Sequence, residues 1–267
     1  MTPTTGAEGV SARVADYDSV ADRFDRRYRL HTYGGVRETL LDFIGSDTRL
    51  AILEVGCGTG HWLKAVGGAA SFLAGVDLSF GMLSRARVDH LEAHVVRAKA
   101  EALPWRDASF DRIFCINALH HFSDRQRFLA EARRLLRPGG GLLTVGKDPH
   151  AERDEWWVYD YFPETLAIDR HRFAPVRTLR GDMSVVGFAW AESSEADRIE
   201  ATMSLAEAFA AGLVDRAYTS QLTVLTDAEF DAGVARLRAA ETGRARDGGS
   251  LDLVTDFRLY ATIGWLS

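Results

Sequence analysis

The stretch LAILEVGCGTG, residues 50–60, decides the fold of this chain. Its first six residues are apolar except for Glu54, which is typical of a strand buried inside a sheet. Three glycines follow at alternate positions, and glycine lets the backbone adopt positive φ and approach a ligand closely. Residues 61–66 then predict a helix. The stretch is therefore predicted to form a strand, a ligand-binding turn and the start of a helix.

Strands and helices alternate along the chain around this turn. Apolar segments predict strands over 50–55, 72–76, 93–96, 110–116 and 141–145. Helical spacing predicts helices over 36–44, 61–66, 81–90 and 125–136. Such alternation is typical of an α/β fold with a mostly parallel sheet and helices on both faces.

The last part of the chain is predicted to finish this sheet. Segments 184–190 and 251–265 have strand character and are expected to add an antiparallel pair. Two helices lie between them, over 203–213 and 227–240, and the second begins with a capping sequence at Thr226. The fold class is thus a Rossmann-like α/β fold, a seven-stranded, mostly parallel sheet with a helical and aromatic cap.

We expect one compact domain with three functional parts. Residues 1–35 are predicted to form an N-terminal helical lid, because apolar residues recur there at helical spacing. Residues 36–148 form the Rossmann-like core in this interpretation. Residues 149–267 then supply cap insertions and the last strands of the sheet.

Composition excludes several classes of function. The chain has 267 residues, a net charge of −6 and two cysteines far apart, Cys57 and Cys115. The acidic balance disfavours nucleic acid as a partner. No apolar run reaches the length of a membrane span, no metal-ligand spacing occurs and no secretory signal is evident. We therefore expect a cytoplasmic protein without a metal; the sequence leaves the oligomeric state open.

An acidic residue stands where a sugar-binding group is needed. Asp77 ends the second predicted strand, about twenty residues after the glycine turn, where its carboxylate can accept from both ribose hydroxyls. A dinucleotide fingerprint requires a third glycine at the position of His61. The pattern therefore favours a nucleoside cofactor without a pyrophosphate.

Leu53–Gly60 resembles motif I of the class I S-adenosylmethionine-dependent methyltransferases, and later segments resemble further motifs of their type 11 group. These later segments are Glu101–Trp105, Ser109–Asp111, Asn117–Phe122 and Leu136–Gly140. They occur in the family's order and cover about residues 50–147. The resemblance implies S-adenosylmethionine as the cofactor.

The resemblance also assigns roles to individual residues around the glycine turn. Gly56, Gly58 and Gly60 would line the methionine and ribose moieties, with Glu54 supporting the loop. Cys57 would be a small buried filler within it.

Other positions would enclose the sugar and the base. Asp77 would hold the ribose, Leu78 and Met82 would pack on adenine, and Asn117 would close the site near the sulfonium. The turn Lys99, Ala100 and Glu101 would lie at the adenine edge. Lys99 departs from the family, since many members have an aspartate there and lysine cannot accept a hydrogen bond. We expect backbone groups of Ala100 to compensate.

Three residues are candidates for catalysis. His120 and His121 follow the fourth strand, and either one is a candidate general base. The alternative is that they pack beneath the cofactor. Tyr17, in the predicted lid, is a candidate to reach the methionine carboxylate or the acceptor.

A cluster of aromatic residues follows the core segment. Trp156, Trp157 and Tyr161 form either an aromatic wall for a planar acceptor or a lid packed on the core. The sequence thus predicts O-, N- or C-methylation of a small hydrophobic or aromatic molecule. The alternatives are a non-catalytic S-adenosylmethionine-binding protein, a non-methylating enzyme that uses this cofactor, and, more distantly, an NAD-dependent oxidoreductase.

Overall fold

Eight strands within the described residues form one mixed sheet. The structure is a computed structural model that describes residues 17, 18, 25, 28, 31–88, 93–151 and 153–267. The strands are β1 Ala51–Val55, β2 Phe72–Asp77, β3 His94–Arg97, β4 Phe110–Ile116, β5 Leu136–Gly146, β6 Glu155–Trp156, β7 Trp190–Ser204 and β8 Asp252–Trp265. The predicted lid over 1–35 lies largely outside the described residues.

The strand order is β3-β2-β1-β4-β5-β8, and β6 and β7 both pair with β8. Strands β1 to β5 are parallel, with Leu53 of β1 opposite Ala74 of β2 and Ile113 of β4. Strand β8 is antiparallel to β5 and to β7. The predicted mostly parallel sheet with an antiparallel end is therefore confirmed. The order of strand addition reverses between β1 and β4, since β2 and β3 lie on one side of β1 and β4 and β5 on the other, so ligands are expected beyond the carboxyl ends of these strands.

Helices cover both faces of the sheet. They are α1 Gly34–Ile44, α2 His61–Val66, α3 Phe80–Val88, α4 Arg125–Leu135, α5 Trp157–Tyr161, α6 Glu164–Arg172, α7 Val176–Val186, α8 Leu205–Ala210, α9 Ser220–Thr223 and α10 Asp227–Arg246. Thr226 caps α10 as predicted, through a reciprocal capping box with Glu229.

The prediction of a strand over 184–190 is wrong. Helix α7 continues to Val186, and Gly187, with a φ of 99°, ends it. The β-branched pair Val185 and Val186 suggested a strand, but Val185 is largely exposed at the end of the helix. Strand β7 begins only at Trp190. It pairs with β8 along its whole length, from Trp190 opposite Trp265 to Ser204 opposite Asp252.

The core has two layers because strand residues alternate between the faces of the sheet. Ile52 packs in the cluster that contains α1 and α2, with Leu40 and Leu63. Leu53 packs in the opposite cluster with Leu129 of α4. All five residues of β1 are buried, as expected for a central parallel strand. The loops beyond β1, β2, β4 and β5 are thereby fixed at one edge of the sheet.

Candidate functional site

The glycine turn after β1 is held tightly against the loop after β4. Gly56, Gly58 and Gly60 have φ values of 77°, 53° and 82°. A Cβ atom on Gly56 would lie 2.4 Å from the Cβ of Ala118, so no larger residue fits there. The backbone N–H groups of Gly56 and Cys57 both donate to the carbonyl of Val76, at 2.8 and 3.0 Å. The turn therefore crosses the end of β2, beside Asp77.

Asp77 is fixed by backbone donors from both of its neighbouring loops. Gly58 N–H donates to Oδ2 and Ser79 N–H donates to Oδ1, each at 2.8 Å. Burial raises the pKa of Asp77, and these backbone hydrogen bonds oppose the rise. Each carboxylate oxygen keeps a second lone pair, so the group is oriented and still able to accept from ligand hydroxyls.

A cleft of about 480 Å³ opens beside this carboxylate. We call it the Asp77 cleft; its walls are residues 55–56, 76–79, 97–101, 118 and 121–123, with Tyr17 and Asp18. A smaller loop recess of about 60 Å³ lies under the glycine turn and is lined by Tyr17, Tyr28, Glu54, Gly56, Cys57, Gly58, Trp62, Asp77, Met82, Ile116, Asn117, Ala118 and His121.

Eleven of the twelve residues that the sequence proposed for the cofactor line one of these two spaces. Gly60 is the exception, because it caps the start of α2. Leu78 is 56% exposed at the rim of the Asp77 cleft, where a ligand in the cleft can contact it. Met82 is buried and reaches the loop recess from α3.

The residues present fit a cationic nucleoside such as S-adenosylmethionine. Glu54 is buried, and its Oε2 has no hydrogen-bond partner among the described residues, which suits an incoming ammonium donor. Burial raises the pKa of the Glu54 carboxyl well above its usual range, and the nearby charge of Asp77 adds to that rise. A cation between these two carboxyl groups would lower both pKa values.

The carboxylate of Glu101 binds the loop after β4. Its Oε1 accepts from Ser123 N–H at 2.7 Å, from Ser123 Oγ at 2.9 Å and from Asp124 N–H at 3.1 Å. Burial raises the pKa of Glu101, but these hydrogen bonds outweigh it and lower the pKa overall. Lys99 is exposed on the wall of the Asp77 cleft, and Ala100 beside it is buried.

His121 lines both the Asp77 cleft and the loop recess, and it also lines two further cavities that are described below. It ends a short 3₁₀ turn, Leu119–His121, directly after β4. The hydroxyl of Tyr17 lies 2.5 Å from His121 Nε2, and the two rings meet edge to face. His120 stacks on Phe173, with 4.0 Å between ring centroids, and its ring centroid lies 3.9 Å from that of His121. The structure thus brings all three candidates for catalysis together, with His121 between Tyr17 and His120.

Beyond the two histidines lies a second cleft of about 300 Å³. We call it the basic cleft; its walls are residues 119–123, 125, 144–147, 171–174, 176, 179, 260 and 262. An inner cavity of about 80 Å³ adjoins it and shares His120, His121, Lys147 and Phe173. Apolar groups such as Leu119, Phe122 and Leu179 supply much of the basic cleft's surface.

The three aromatic residues proposed for the acceptor have different positions. Trp156 lines the inner cavity. Trp157 is 2% exposed and packs edge to face on Phe162 in the core, so it lines none of the four cavities. Tyr161 is half-buried at the end of α5 and also lies outside them. The idea of a single aromatic wall is therefore wrong for Trp157 and Tyr161: Trp156 belongs to β6, whereas Trp157 and Tyr161 lie four residues apart on α5, on a face that packs away from the cavities.

Sequence reasoning missed several residues of these walls. Asp18 accepts from Ser79 Oγ at 2.5 Å and from Gly81 N–H at 2.8 Å, and so holds the N-terminal segment on the loop after β2. Lys147 also lines these walls, and its position directly after β5 is a signal that could have identified it. Arg172 and Asp169 carried no signal, because they come from a helix outside the recognised motifs.

Comparison with known proteins agrees with this geometry. Residues 53–144 match the family model described as a methyltransferase domain. The chain is 36% identical to the ubiquinone/menaquinone biosynthesis C-methyltransferase of Acidiphilium cryptum over 48% of this chain and 56% of that protein. It is 30% identical to the malonyl-[acyl-carrier protein] O-methyltransferase of Pseudescherichia vulneris over 67% of this chain and 70% of that protein.

The fold also matches a solved structure. Phosphoethanolamine N-methyltransferase 2 of Haemonchus contortus, in complex with S-adenosylmethionine, superposes with a TM-score of 0.61 at 17% identity. The match covers 98% of this chain and 61% of that one. Among the first curated relatives that it matches, the chain spans between 40% and 56% of their own length. In the described residues, no helix combines the length and apolar character needed to cross a bilayer.

Proposed function

This chain belongs to the class I S-adenosylmethionine-dependent methyltransferases, with S-adenosylmethionine as cofactor, and we propose that it methylates a small molecule held in the basic cleft. The family and its cofactor set aside the NAD-dependent alternative. In this proposal the acceptor-side wall is shared between residues 119–147 and segment 149–267, and residues 36–148 with Tyr17 and Asp18 supply the cofactor side.

The position of His121 carries the proposal. This side chain lines both the Asp77 cleft and the basic cleft, so a ligand in one space is within reach of a ligand in the other. Phe122 and Ser123 are shared by the same two spaces. A methyltransferase needs this junction, because the methyl group must pass directly between two molecules that water does not separate.

The chemistry demands little covalent help from the protein. When bound, S-adenosylmethionine supplies a methyl group on a sulfonium, which is already a good leaving group. The cleft walls then orient the acceptor and exclude water. An acceptor hydroxyl or amine must also lose a proton, and we assign that role to His121, whose imidazole can accept it at the junction. Tyr17 orients the ring through its hydrogen bond to Nε2.

The acceptor is proposed to be hydrophobic or aromatic in part. Leu119, Phe122, Phe173, Val176 and Leu179 provide apolar surface in the basic cleft. The similar proteins named above include a ubiquinone/menaquinone biosynthesis C-methyltransferase and a malonyl-[acyl-carrier protein] O-methyltransferase. One of these proteins methylates carbon and the other oxygen. Their similarity to this chain therefore does not choose between O-, N- and C-methylation.

The test has a binding step and a transfer step. Calorimetric titration with S-adenosylhomocysteine should give saturable binding to the purified chain. Incubation with methyl-labelled S-adenosylmethionine and a small-molecule extract should give a labelled low-mass product. His121→Ala should lower kcat by about 10²-fold or more if the imidazole takes the proton. His94→Ala is the matched control, because His94 is exposed on β3 and lines none of the four cavities formed by described residues.

Three outcomes would overturn parts of this proposal. Binding without any transfer indicates a non-catalytic protein or a non-methylating enzyme. Label in bulk RNA or protein rather than in small molecules refutes the acceptor class. Equal activity of the His121→Ala and His94→Ala variants refutes the role of His121.

A further inference from the structure

Two buried cations lie in the wall of the basic cleft without a full set of acceptors. Lys147 follows the last residue of β5, and Arg172 is the last residue of α6. Both side chains line the cleft, and their exposed fractions are only 6% and 5%. They come from elements distant in sequence, and the fold brings them to one space.

The ammonium of Lys147 is surrounded mainly by aromatic rings. Its Nζ lies 3.8 Å from the ring centroid of Trp156, 4.2 Å from that of Phe257 and 4.6 Å from that of Tyr159. Ring faces attract a cation but accept no conventional hydrogen bond. The Oδ2 atom of Asp154 is 3.8 Å away, too far for a hydrogen bond, and Nζ has no other acceptor among the described residues. Three N–H groups are therefore unsatisfied.

Arg172 is only partly satisfied by its carboxylate partner. Its Nη2 donates to Asp169 Oδ1 at 2.6 Å. Its Nε and Nη1 are buried and have no acceptor within the described ranges. Asp169 Oδ2 already accepts from Tyr159 Oη at 2.7 Å and from Gln221 Nε2 at 2.8 Å. The carboxylate therefore satisfies only one nitrogen of the guanidinium, Nη2.

The other polar groups of the cleft reinforce this pattern. The titratable side chains that line it are cationic or imidazole groups, together with Tyr260; within the described residues no carboxylate lines it. Arg125 is paired with Asp182 at 2.8 Å and keeps that partner. The chain as a whole carries a net charge of −6, whereas the charged side chains that line the cleft are cations whose carboxylate partners lie behind its wall. A buried donor without an acceptor is unfavourable, and a ligand with matching acceptors removes that cost.

We propose that the methyl acceptor carries an anionic oxygen group, a carboxylate or a phosphate, that binds to Lys147 and Arg172. This inference rests on the proposed function, because it names the class of molecule that occupies the basic cleft. Lysine and arginine donate strong, charge-assisted hydrogen bonds to such groups. The apolar walls hold the remainder of the acceptor, and its reacting atom faces His121.

Three small probes test the proposal without knowledge of the natural acceptor. Benzoate, phenyl phosphate and benzamide share one ring and differ in charge. They are titrated calorimetrically into the full chain, with and without saturating S-adenosylhomocysteine. We expect benzoate or phenyl phosphate to bind at least about tenfold more tightly than benzamide, as one charge-assisted hydrogen bond predicts. The tighter of the two anions identifies carboxylate or phosphate as the group.

Variants then locate the effect. Lys147→Met should reduce the preference for an anion to near parity, and Lys147→Arg should retain part of it. Lys64→Met is the control for loss of one positive charge, because Lys64 is exposed on α2 and lines none of the four cavities. Equal binding of benzamide and both anions to the wild-type chain, no binding of either anion, or an undiminished preference in Lys147→Met overturns the proposal.

The two proposals fail in distinguishable ways. If S-adenosylhomocysteine binds but no anion is preferred, the anion site is refuted and the methyltransferase function stands. If S-adenosylhomocysteine does not bind while the Lys147-dependent preference persists, the anion site stands and the proposed function is refuted.

Discussion

The Asp77 cleft and the basic cleft share His121 but are built from different parts of the chain. The walls of the Asp77 cleft come from residues 55–123 together with Tyr17 and Asp18, and backbone groups fix its central carboxylate. The walls of the basic cleft come from residues 119–262, and Asp169, the buried carboxylate that pairs with Arg172 behind this wall, accepts its hydrogen bonds from side chains. One side depends on the path of the backbone, and the other depends on packing between distant elements.

This difference predicts how each side responds to substitution. A site fixed by backbone donors should tolerate changes of neighbouring side chains and fail when the turn itself is altered. A site fixed by a buried network of side chains should lose stability when one member loses its charge. Four substitutions or conditions separate these behaviours.

Asp169→Asn is expected to have the largest effect on stability. It removes the charge that faces Arg172 and turns one acceptor oxygen into a donor, which leaves a buried guanidinium unpaired. We expect the free energy of unfolding to fall by about 3–5 kcal/mol, the usual result of breaking a buried pair on one side. Urea denaturation measures it.

Asp182→Asn is the control for that prediction. Asp182 pairs with Arg125 at 2.8 Å, but the side chains are 12% and 30% exposed, so water can replace part of the lost interaction. We expect a loss of about 1 kcal/mol or less. Equal losses in the free energy of unfolding would show that the hydrogen bonds of Asp169 stabilise the protein no more than the Arg125–Asp182 pair does.

Gly56→Ala tests the glycine turn. A Cβ at this position meets Ala118 at 2.4 Å, and its φ of 77° already costs a non-glycine residue about 1–2 kcal/mol. Overpacking should add about 1–3 kcal/mol and weaken binding of S-adenosylhomocysteine. Unfolding curves and calorimetric titration measure both.

Gly248→Ala separates the two causes, because Gly248 has nearly the same φ, 78°, and open space around its missing Cβ. This variant should lose only the stability that the positive φ costs and should retain ligand binding. If Gly248→Ala is as damaging as Gly56→Ala, contact between the turn and the loop after β4 is unimportant.

Asp77→Asn should weaken binding of S-adenosylhomocysteine by about 10- to 100-fold. Hydrogen bonds to a charged group contribute about 1.5–3 kcal/mol, and the amide cannot accept from both neighbouring loops and from a sugar. Calorimetric titration measures the change. Asp47→Asn, an exposed carboxylate paired with Arg49, should leave the affinity unaltered. Unchanged binding by Asp77→Asn would contradict the assignment of the whole Asp77 cleft.

The smallest predicted effect concerns pH and Lys147. Burial lowers the pKa of Lys147 to about 8, from 10.5 in an exposed lysine, while the charges of Asp169 and Asp154 oppose the fall. Between these values the unfolded chain binds more protons than the folded chain, so stability rises with pH. From pH 8 to pH 9 the wild-type chain should gain about 1 kcal/mol relative to Lys147→Met. A difference that is flat or falls with pH would contradict this pKa.

The sequence was informative where local chemistry sets the structure. Residues 50–60 predicted the strand, turn and helix, because glycine spacing and an apolar run each act over a few residues. Motif order then located Asp77 and His121. The segment 184–190 was misassigned because β-branched residues at a helix end resemble a strand, and Gly187 alone did not mark the boundary.

The sequence by itself determined the parallel sheet, the cofactor turn and the class of cofactor, since these follow from short patterns of residues that fold next to one another. Only the tertiary structure decided that Trp157 is core, that Tyr17 meets His121 and that Lys147 and Arg172 line one cleft. Such contacts join residues separated by 25 to more than 100 positions along the chain. They depend on how the helices pack on the sheet, and no local pattern of residues encodes that packing.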